Sequence, residues 1–216
     1  MSGPSAPTVV YLVRHGSVVG AETRRFIGHL DVPLSPLGAR QIAAVANRLR
    51  RARLQAVYAS DLARTRESAR ILAAPHGLDV VEMRALREFA MGDWEGLTGE
   101  EIRALDAHAY AAWMADVAGY RFPGGENLQQ LAARAWPAFE SITRAHAGEA
   151  IAIVAHGGTN RMILCRALGV APERILAIGQ DYAALSALEW SRSGWRLQLL
   201  NHREPMELPE VVDPSV

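Results

Sequence analysis

Val9-Val10-Tyr11-Leu12-Val13-Arg14-His15-Gly16 is the stretch whose reading decides the fold. An uninterrupted apolar run, rich in β-branched and aromatic residues, stops at an arginine, a histidine and a glycine. Such a run reads as a strand buried on both faces, as in a parallel sheet. In open α/β sheets, ligands bind just beyond the carboxyl ends of the strands. Arg14 and His15 therefore leave the core where a site would form, and Gly16 lets the backbone turn closely around a ligand. Alone, an Arg-His pair after a strand is more often plain surface; the rest of the chain changes that reading.

A second run has the same form. Ile151-Ala152-Ile153-Val154-Ala155 ends in His156-Gly157-Gly158. If the two strands are neighbours in a parallel sheet, both imidazoles meet at one edge. A third junction, Ser60-Asp61-Leu62-Ala63-Arg64-Thr65-Arg66, puts Arg64 on the first turn of a helix leaving that edge. Two arginines and two histidines converging on one point make an anion site, and forked guanidiniums suit phosphoryl oxygens. A neutral imidazole is a competent nucleophile toward phosphorus. Cations around it stabilise the transferring phosphoryl group. A carboxylic acid must then protonate the leaving alcohol and later activate water. Glu88, in Leu86-Arg87-Glu88-Phe89-Ala90-Met91-Gly92-Asp93-Trp94-Glu95-Gly96, is the candidate, with Glu82, Asp93 and Glu95 as rivals.

The remaining elements follow from pattern. Ser35 caps a helix with Pro36 in its first turn, running through Ile42, Val45 and Leu49 to a basic end. Ala56–Ala59 reads as a strand, and Ser60 or Asp61 as the cap of the helix that ends near Pro75-His76-Gly77. Val80 and Val81 suggest a short strand, and Leu86 to Gly96 an ordered loop. Leu97 to Tyr120 reads as helical. A long helix is predicted from Asn127 to His146, kinked or broken at Pro137. Another follows His156 and closes at Gly169. Ala184–Trp190 and Trp195–Leu200 form a hairpin turned at Ser193-Gly194. Residues 1–216 read as one domain, with a cap-like insertion at about 97–122 and a Pro- and acid-rich tail, 203–216, expected to fray.

Composition narrows the function. With 216 residues, half of them hydrophobic, the chain can bury the core of one α/β domain. Basic and acidic residues balance at 23 each, so no long-range attraction to nucleic acid or anionic membrane is expected. Every basic residue is arginine, which excludes lysine Schiff bases and a P-loop lysine. Cys165 stands alone in an apolar helical stretch and reads as core. Met1 to Thr8 has no features of a signal peptide, and no run approaches the roughly 18 apolar residues of a membrane span. A cytoplasmic protein is expected. The other histidines (His29, His76, His108, His146, His202) show no metal-ligand spacing, so no metal site is expected. Glu126 caps the following helix or lines the pocket. Trp94 reads as a packing residue that positions the Glu88 loop. Arg24-Arg25 reads as a grip on a second anionic group or as solvated loop charge. The aromatics Tyr110, Trp113, Tyr120 and Phe122 read as the core of a helical cap or as a lid for a ring-shaped leaving group. Apolar helix faces and the closing hairpin suggest a homodimer.

In order along the chain, these motifs resemble the histidine phosphatase superfamily, with its phosphoglycerate mutase-like fold. The match runs through Arg14-His15-Gly16, Gly28-His29-Leu30-Asp31-Val32-Pro33-Leu34-Ser35 with Gly38, Ser60-Asp61-Leu62-Ala63-Arg64, and Leu86-x-Glu88. It continues through Gly92-Asp93-Trp94-Glu95-Gly96, Gly124-Gly125-Glu126 and His156-Gly157. The resemblance implies a three-layer α/β/α sandwich whose mostly parallel sheet carries one antiparallel strand. It implies that His15 is the phosphorylated nucleophile and that Arg14, Arg64 and His156 hold the phosphoryl group. Glu88 would be the acid and then the base, with no metal or organic cofactor. Ser17, Gly28 and Gly157 would line the substrate site. The family pattern usually continues with Glu and then Thr or Ser, and carries an Asn six residues after the histidine; Ser17, Val18 and Ala21 stand there instead. The size, the Gly-Asp-Trp-Glu-Gly segment and the Gly-Gly-Glu turn look most like the alpha-ribazole phosphatase and broad-specificity phosphatase branch. The implied activity is hydrolysis of a small phosphorylated metabolite, such as alpha-ribazole phosphate or a sugar phosphate. Two alternatives are phosphoglycerate mutase-type transfer and a non-catalytic phosphate-binding module. Mutases carry an adjacent Arg pair after Trp-Glu-Gly, where this chain has only the separated Arg103 and Arg121.

Overall fold

The computed structural model describes residues 6–205. Six strands form one mixed sheet: β1 (Thr8–Arg14), β2 (Leu54–Ala59), β3 (Val80–Glu82), β4 (Ala150–Ala155), β5 (Leu185–Ser191) and β6 (Gly194–His202). Their order is β3-β2-β4-β1-β5-β6. β1 and β4 are parallel neighbours, in register from Val9↔Ala150 to Arg14↔Ala155, so both histidines emerge at one edge. β5 runs antiparallel to β1 and to β6, the one reversed strand that the family resemblance implied.

Side-chain alternation makes the layers. On β1 and β4, Val10, Leu12, Ile151 and Ile153 face α5 (Leu128–Ala145) and α6 (Gly157–Leu168). Val13, Ala152 and Val154 face the other way, onto α1 (Pro36–Leu49) and α2 (Ala63–Ala73). Both faces of the central strands are covered, which is why their sequences are apolar throughout. Two short helices, α3 (Gly99–Leu105) and α4 (Ala107–Ala115), form a cap beyond the sheet edge. Among the described residues, no helix is long and apolar enough to cross a membrane.

Several local expectations are corrected. The helix expected over Leu97 to Tyr120 is two helices, because Asp106 leaves helical geometry and caps α4 by accepting from the Ala109 N–H. Asp116 ends α4 and turns the chain by accepting from the Gly119 N–H, so Tyr120 is not helical. Pro137 does not break α5, which runs 18 residues through it. The stripe Leu131, Ala135, Phe139 and Ile142 buried on the sheet outweighs the roughly 3 kcal/mol an internal proline costs. Neither Ser60 nor Asp61 is the N-cap of α2; that position is Leu62. The capping acceptor comes from the first loop instead, as Asp31 Oδ1 takes the Ala63 N–H at 2.6 Å. Most of the tail, 206–216, lies outside the described residues.

Candidate active site

The carboxyl end of β1 is locked before any ligand arrives. Gly16 passes so close to Gly38, at the start of α1, that a Cβ on either would collide with the other's segment. Ser35 closes the junction: its Oγ donates to the Ser17 carbonyl and accepts from the Gly38 N–H, capping α1. His15 Nδ1 lies 2.8 Å from the Gly16 carbonyl. A carbonyl only accepts, so Nδ1 carries the proton and Nε2 of the neutral ring keeps its lone pair. Burial, then the Arg14 and Arg64 charges, hold the His15 imidazole well below its usual pKa.

Around His15 the structure gathers the other groups expected there. The His156 ring meets the His15 ring edge-on, with centroids 5.2 Å apart. His156 Nε2 hydrogen-bonds to Ser60 Oγ at 2.7 Å, and Nδ1 makes no hydrogen bond to protein. Burial, followed by Arg64, keeps this imidazole neutral as well. Arg14 donates to the Gln180 carbonyl and lies over the Tyr182 ring, 4.0 Å from its centroid. Arg64 is fully buried and donates to the Gly28 and Leu30 carbonyls at 2.7 Å. Burial lowers its pKa to about 10, so it remains a cation. The Nε atoms of Arg14 and Arg64 are buried without a protein partner. Three such atoms in one place, with His156 Nδ1, are unusual, since each unpaired buried polar group costs about 1–3 kcal/mol.

A cavity of about 230 Å³ opens over His15, with Arg14, Arg64, Glu88, Tyr182 and Gly28 in its wall. Of the four carboxylates considered from the sequence, only Glu88 lines it. Glu95 accepts the His29 and Met91 backbone N–H groups, and Glu82 faces Arg66 at the surface. Asp93 sits against Gly124. Glu88 is held by the start of α6, which donates from the Gly158 and Thr159 N–H groups at 2.9 and 3.1 Å. Gly157 lies beside the Arg14 guanidinium and lines an adjoining cavity. Ser17 is not in the wall. It is buried, its N–H donates to Gln41 Oε1, and its carbonyl accepts from Ser35.

Glu126 neither caps α5 nor lines the pocket. Its carboxylate takes both Nε and Nη2 of Arg134 at 2.8 Å and accepts the Ala90 N–H. Arg134 also donates to the Ala85, Arg87 and Glu88 carbonyls, so the pair braces the Glu88 loop from behind. Asp61 braces it in front through a two-pronged contact with Arg87 at 2.6 Å. Arg24 and Arg25 both line the His15 cavity, and Arg25 also donates to the Gly96 carbonyl and Glu101. Tyr110, Trp113, Tyr120 and Phe122 pack with Trp94 as the core of the cap.

Tyr182 and Arg134 escaped the sequence reading. An antiparallel β5 must start at the edge where β1 ends, so the residues just before Leu185 were bound to reach His15. Arg134 interrupts the apolar stripe of α5 between Leu131 and Ala135, and a charge on a buried face needs a partner.

The paired neutral histidines bear on stability. The folded state keeps both rings unprotonated, whereas an unfolded chain protonates them near pH 6.5. Below that value the unfolded state binds more protons, so stability is full above about pH 6.5 and falls as pH drops through it. The slope is up to about 1.4 kcal/mol per pH unit for each histidine. Urea unfolding at about pH 7 and about pH 5.5 measures it; equal midpoints would contradict the buried, neutral assignment.

Residues 10–203 match the Histidine phosphatase superfamily (branch 1). The chain is 39% identical over 161 residues to phosphoglycerate mutase-like protein 4 of Arabidopsis thaliana, covering 73% of this chain and 70% of that one. Its fold superposes on a mycobacterial glucosyl-3-phosphoglycerate phosphatase with a TM-score of 0.83, at 30% identity and covering 90% of this chain and 99% of that one. It also superposes on the alpha-ribazole phosphatase of Shigella flexneri with a TM-score of 0.82, at 25% identity and covering 93% and 98%. With phosphatases and mutase-like proteins alike sharing its sequence pattern and fold, the chain belongs to the histidine phosphatase superfamily.

Proposed function

We propose that the protein is a phosphomonoesterase that works through a phosphohistidine on His15. The observation that carries this is the hydrogen bond from His15 Nδ1 to the Gly16 carbonyl, which leaves Nε2 as a lone pair among Arg14, Arg64 and His156. His15 Nε2 attacks phosphorus, the P–O bond to the leaving alcohol breaks, and protonated Glu88 gives that oxygen its proton. Water then attacks the phosphohistidine, Glu88 takes the water proton, and the N–P bond breaks to release phosphate. Arg14, Arg64 and His156 hold the phosphoryl oxygens in both steps. A binding module would not need a carboxylate in the cavity wall, and Glu88 is there.

Substrates in keeping with this reading are small phosphomonoesters, alpha-ribazole phosphate and sugar phosphates among them. Mutase-type transfer is less well served. The segment after Trp94-Glu95-Gly96 holds only the separated Arg103 and Arg121, and Arg121 donates to the Gly125 carbonyl. Incubation with p-nitrophenyl phosphate and with phosphoglycerates tests the reading. Inorganic phosphate is the expected product from both; isomerised phosphoglycerate without phosphate release would overturn hydrolysis in favour of transfer.

Gly158 offers a finer test. A Cβ there would meet Glu88 Oε1 at 2.5 Å and the Phe89 ring at 2.6 Å. Gly158→Ala is therefore expected to shift the carboxylate and lower kcat about 10- to 100-fold while leaving the fold intact. Steady-state kinetics beside a thermal melt check this; a wild-type kcat would mean the placement of Glu88 does not matter.

A further inference from the structure

The His15 cavity continues into a second one of about 180 Å³, which shares Arg14, Phe26, Glu88 and Met91 with it. Beyond those four, its wall is mostly apolar: Phe89, Trp113, Val117, Phe122, Ile175 and Leu176. A dry apolar cavity of about 150 Å³ holds one benzene ring, so this space suits a leaving group of single-ring size.

One charged side chain intrudes beyond the shared wall. Arg161, on the second turn of α6, lines this cavity and not the one over His15. Its Nε donates to the Ile178 carbonyl at 2.7 Å. Its two Nη atoms make no hydrogen bond among the described residues, and no carboxylate among them pairs with it. A Cβ on Gly157 would stand 3.4 Å from Arg161 Nη1 and 3.5 Å from Arg14 Nε, so both guanidiniums lie against this position. Arg14 serves the phosphoryl group; Arg161 is left for something in the next compartment. A guanidinium with both Nη atoms unpaired, in the wall of a mostly apolar cavity, is best matched by a forked, charge-assisted contact with a carboxylate.

We propose that the substrate's leaving group is a ring-sized apolar body bearing a carboxylate, seated in this second cavity with the carboxylate on Arg161. Arg161 and the apolar wall then act as specificity determinants, ranking aryl carboxylates above plain aryl groups and both above polyols. The inference rests on the phosphomonoesterase reading of His15 and adds the identity of the leaving group.

The test compares kcat/KM for 4-carboxyphenyl phosphate, phenyl phosphate and glycerol phosphate. Wild type is expected to prefer the first over the second by about tenfold, and the second over the third. Arg161→Gln keeps an N–H for the Ile178 carbonyl and removes the charge; it is expected to bring the carboxyphenyl-to-phenyl ratio to about one. Leu176 is 59% exposed at the cavity rim, so Leu176→Glu keeps the fold. Its new charge is expected to lower the same ratio by repelling the carboxylate. A wild-type preference for glycerol phosphate, or a carboxyphenyl-to-phenyl ratio that both variants leave unchanged, overturns this assignment while the phosphatase reading stands. No phosphate from any of the three esters, with no phosphohistidine on His15, overturns both.

Discussion

His15→Ala is expected to lower phosphomonoester hydrolysis by about 10⁴-fold or more. The imidazole is the one group over the cavity whose lone pair is aimed by a hydrogen bond on its other nitrogen. Burial and two guanidiniums keep it unprotonated, so the wild-type nucleophile is available throughout the neutral range. Nothing nearby can replace it. The chain has no lysine, and its single cysteine is buried in the core with α5 and α6, outside the cavity wall. Phosphate binding should survive in the alanine variant, because Arg14, Arg64 and His156 remain. Phosphate-dependent protection against thermal unfolding, kept in the variant while turnover is lost, is the expected pair of results. Turnover within tenfold of wild type would place the nucleophile elsewhere.

Glu88→Ala carries the second large effect, and its form matters more than its size. Loss of a positioned acid costs about 10²–10⁴-fold where the leaving alcohol needs a proton. For alkyl phosphates that loss is expected in full. p-Nitrophenolate leaves without help, so phosphorylation of His15 from p-nitrophenyl phosphate should be slowed little. Attack of water on the phosphohistidine then lacks its base, and the phosphoenzyme should accumulate behind a burst of nitrophenolate. Equal losses with both leaving groups, and no burst, would assign Glu88 a structural role at the start of α6, where the Gly158 and Thr159 N–H groups hold it.

Much of this site was legible before the fold, and for identifiable reasons. Two apolar runs that each end in a histidine bring both rings to one edge if they are neighbours in a parallel sheet, and β1 and β4 are. Arg64 was readable because helix starts lie at that same edge. Glu88 could not be separated from Glu82, Asp93 and Glu95 by spacing alone. What separates them is long-range contact: α6 donates two N–H groups to Glu88, and the first-loop residue His29 and the Met91 amide engage Glu95. The same limit explains the α2 cap. Local pattern pointed to Ser60 or Asp61, but Ser60 holds His156, Asp61 holds Arg87, and Asp31 from the first loop does the capping. Ser17 was expected at the ligand from the family resemblance, yet the tight Gly16–Gly38 crossing leaves it against α1, outside the cavity wall. Polar residues at the site were thus readable by type and position along the strand; their partners, which decide their work, come from segments far apart in sequence.

The most direct measurement is to quench the enzyme during turnover of p-nitrophenyl phosphate and identify the phosphorylated atom. An acid-labile, base-stable phosphate on His15, carried by Nε2 because Nδ1 is bound to Gly16, is the predicted result. Phosphate on Nδ1, on another residue, or on none while turnover proceeds, would contradict the assignment of His15 Nε2 as the nucleophile.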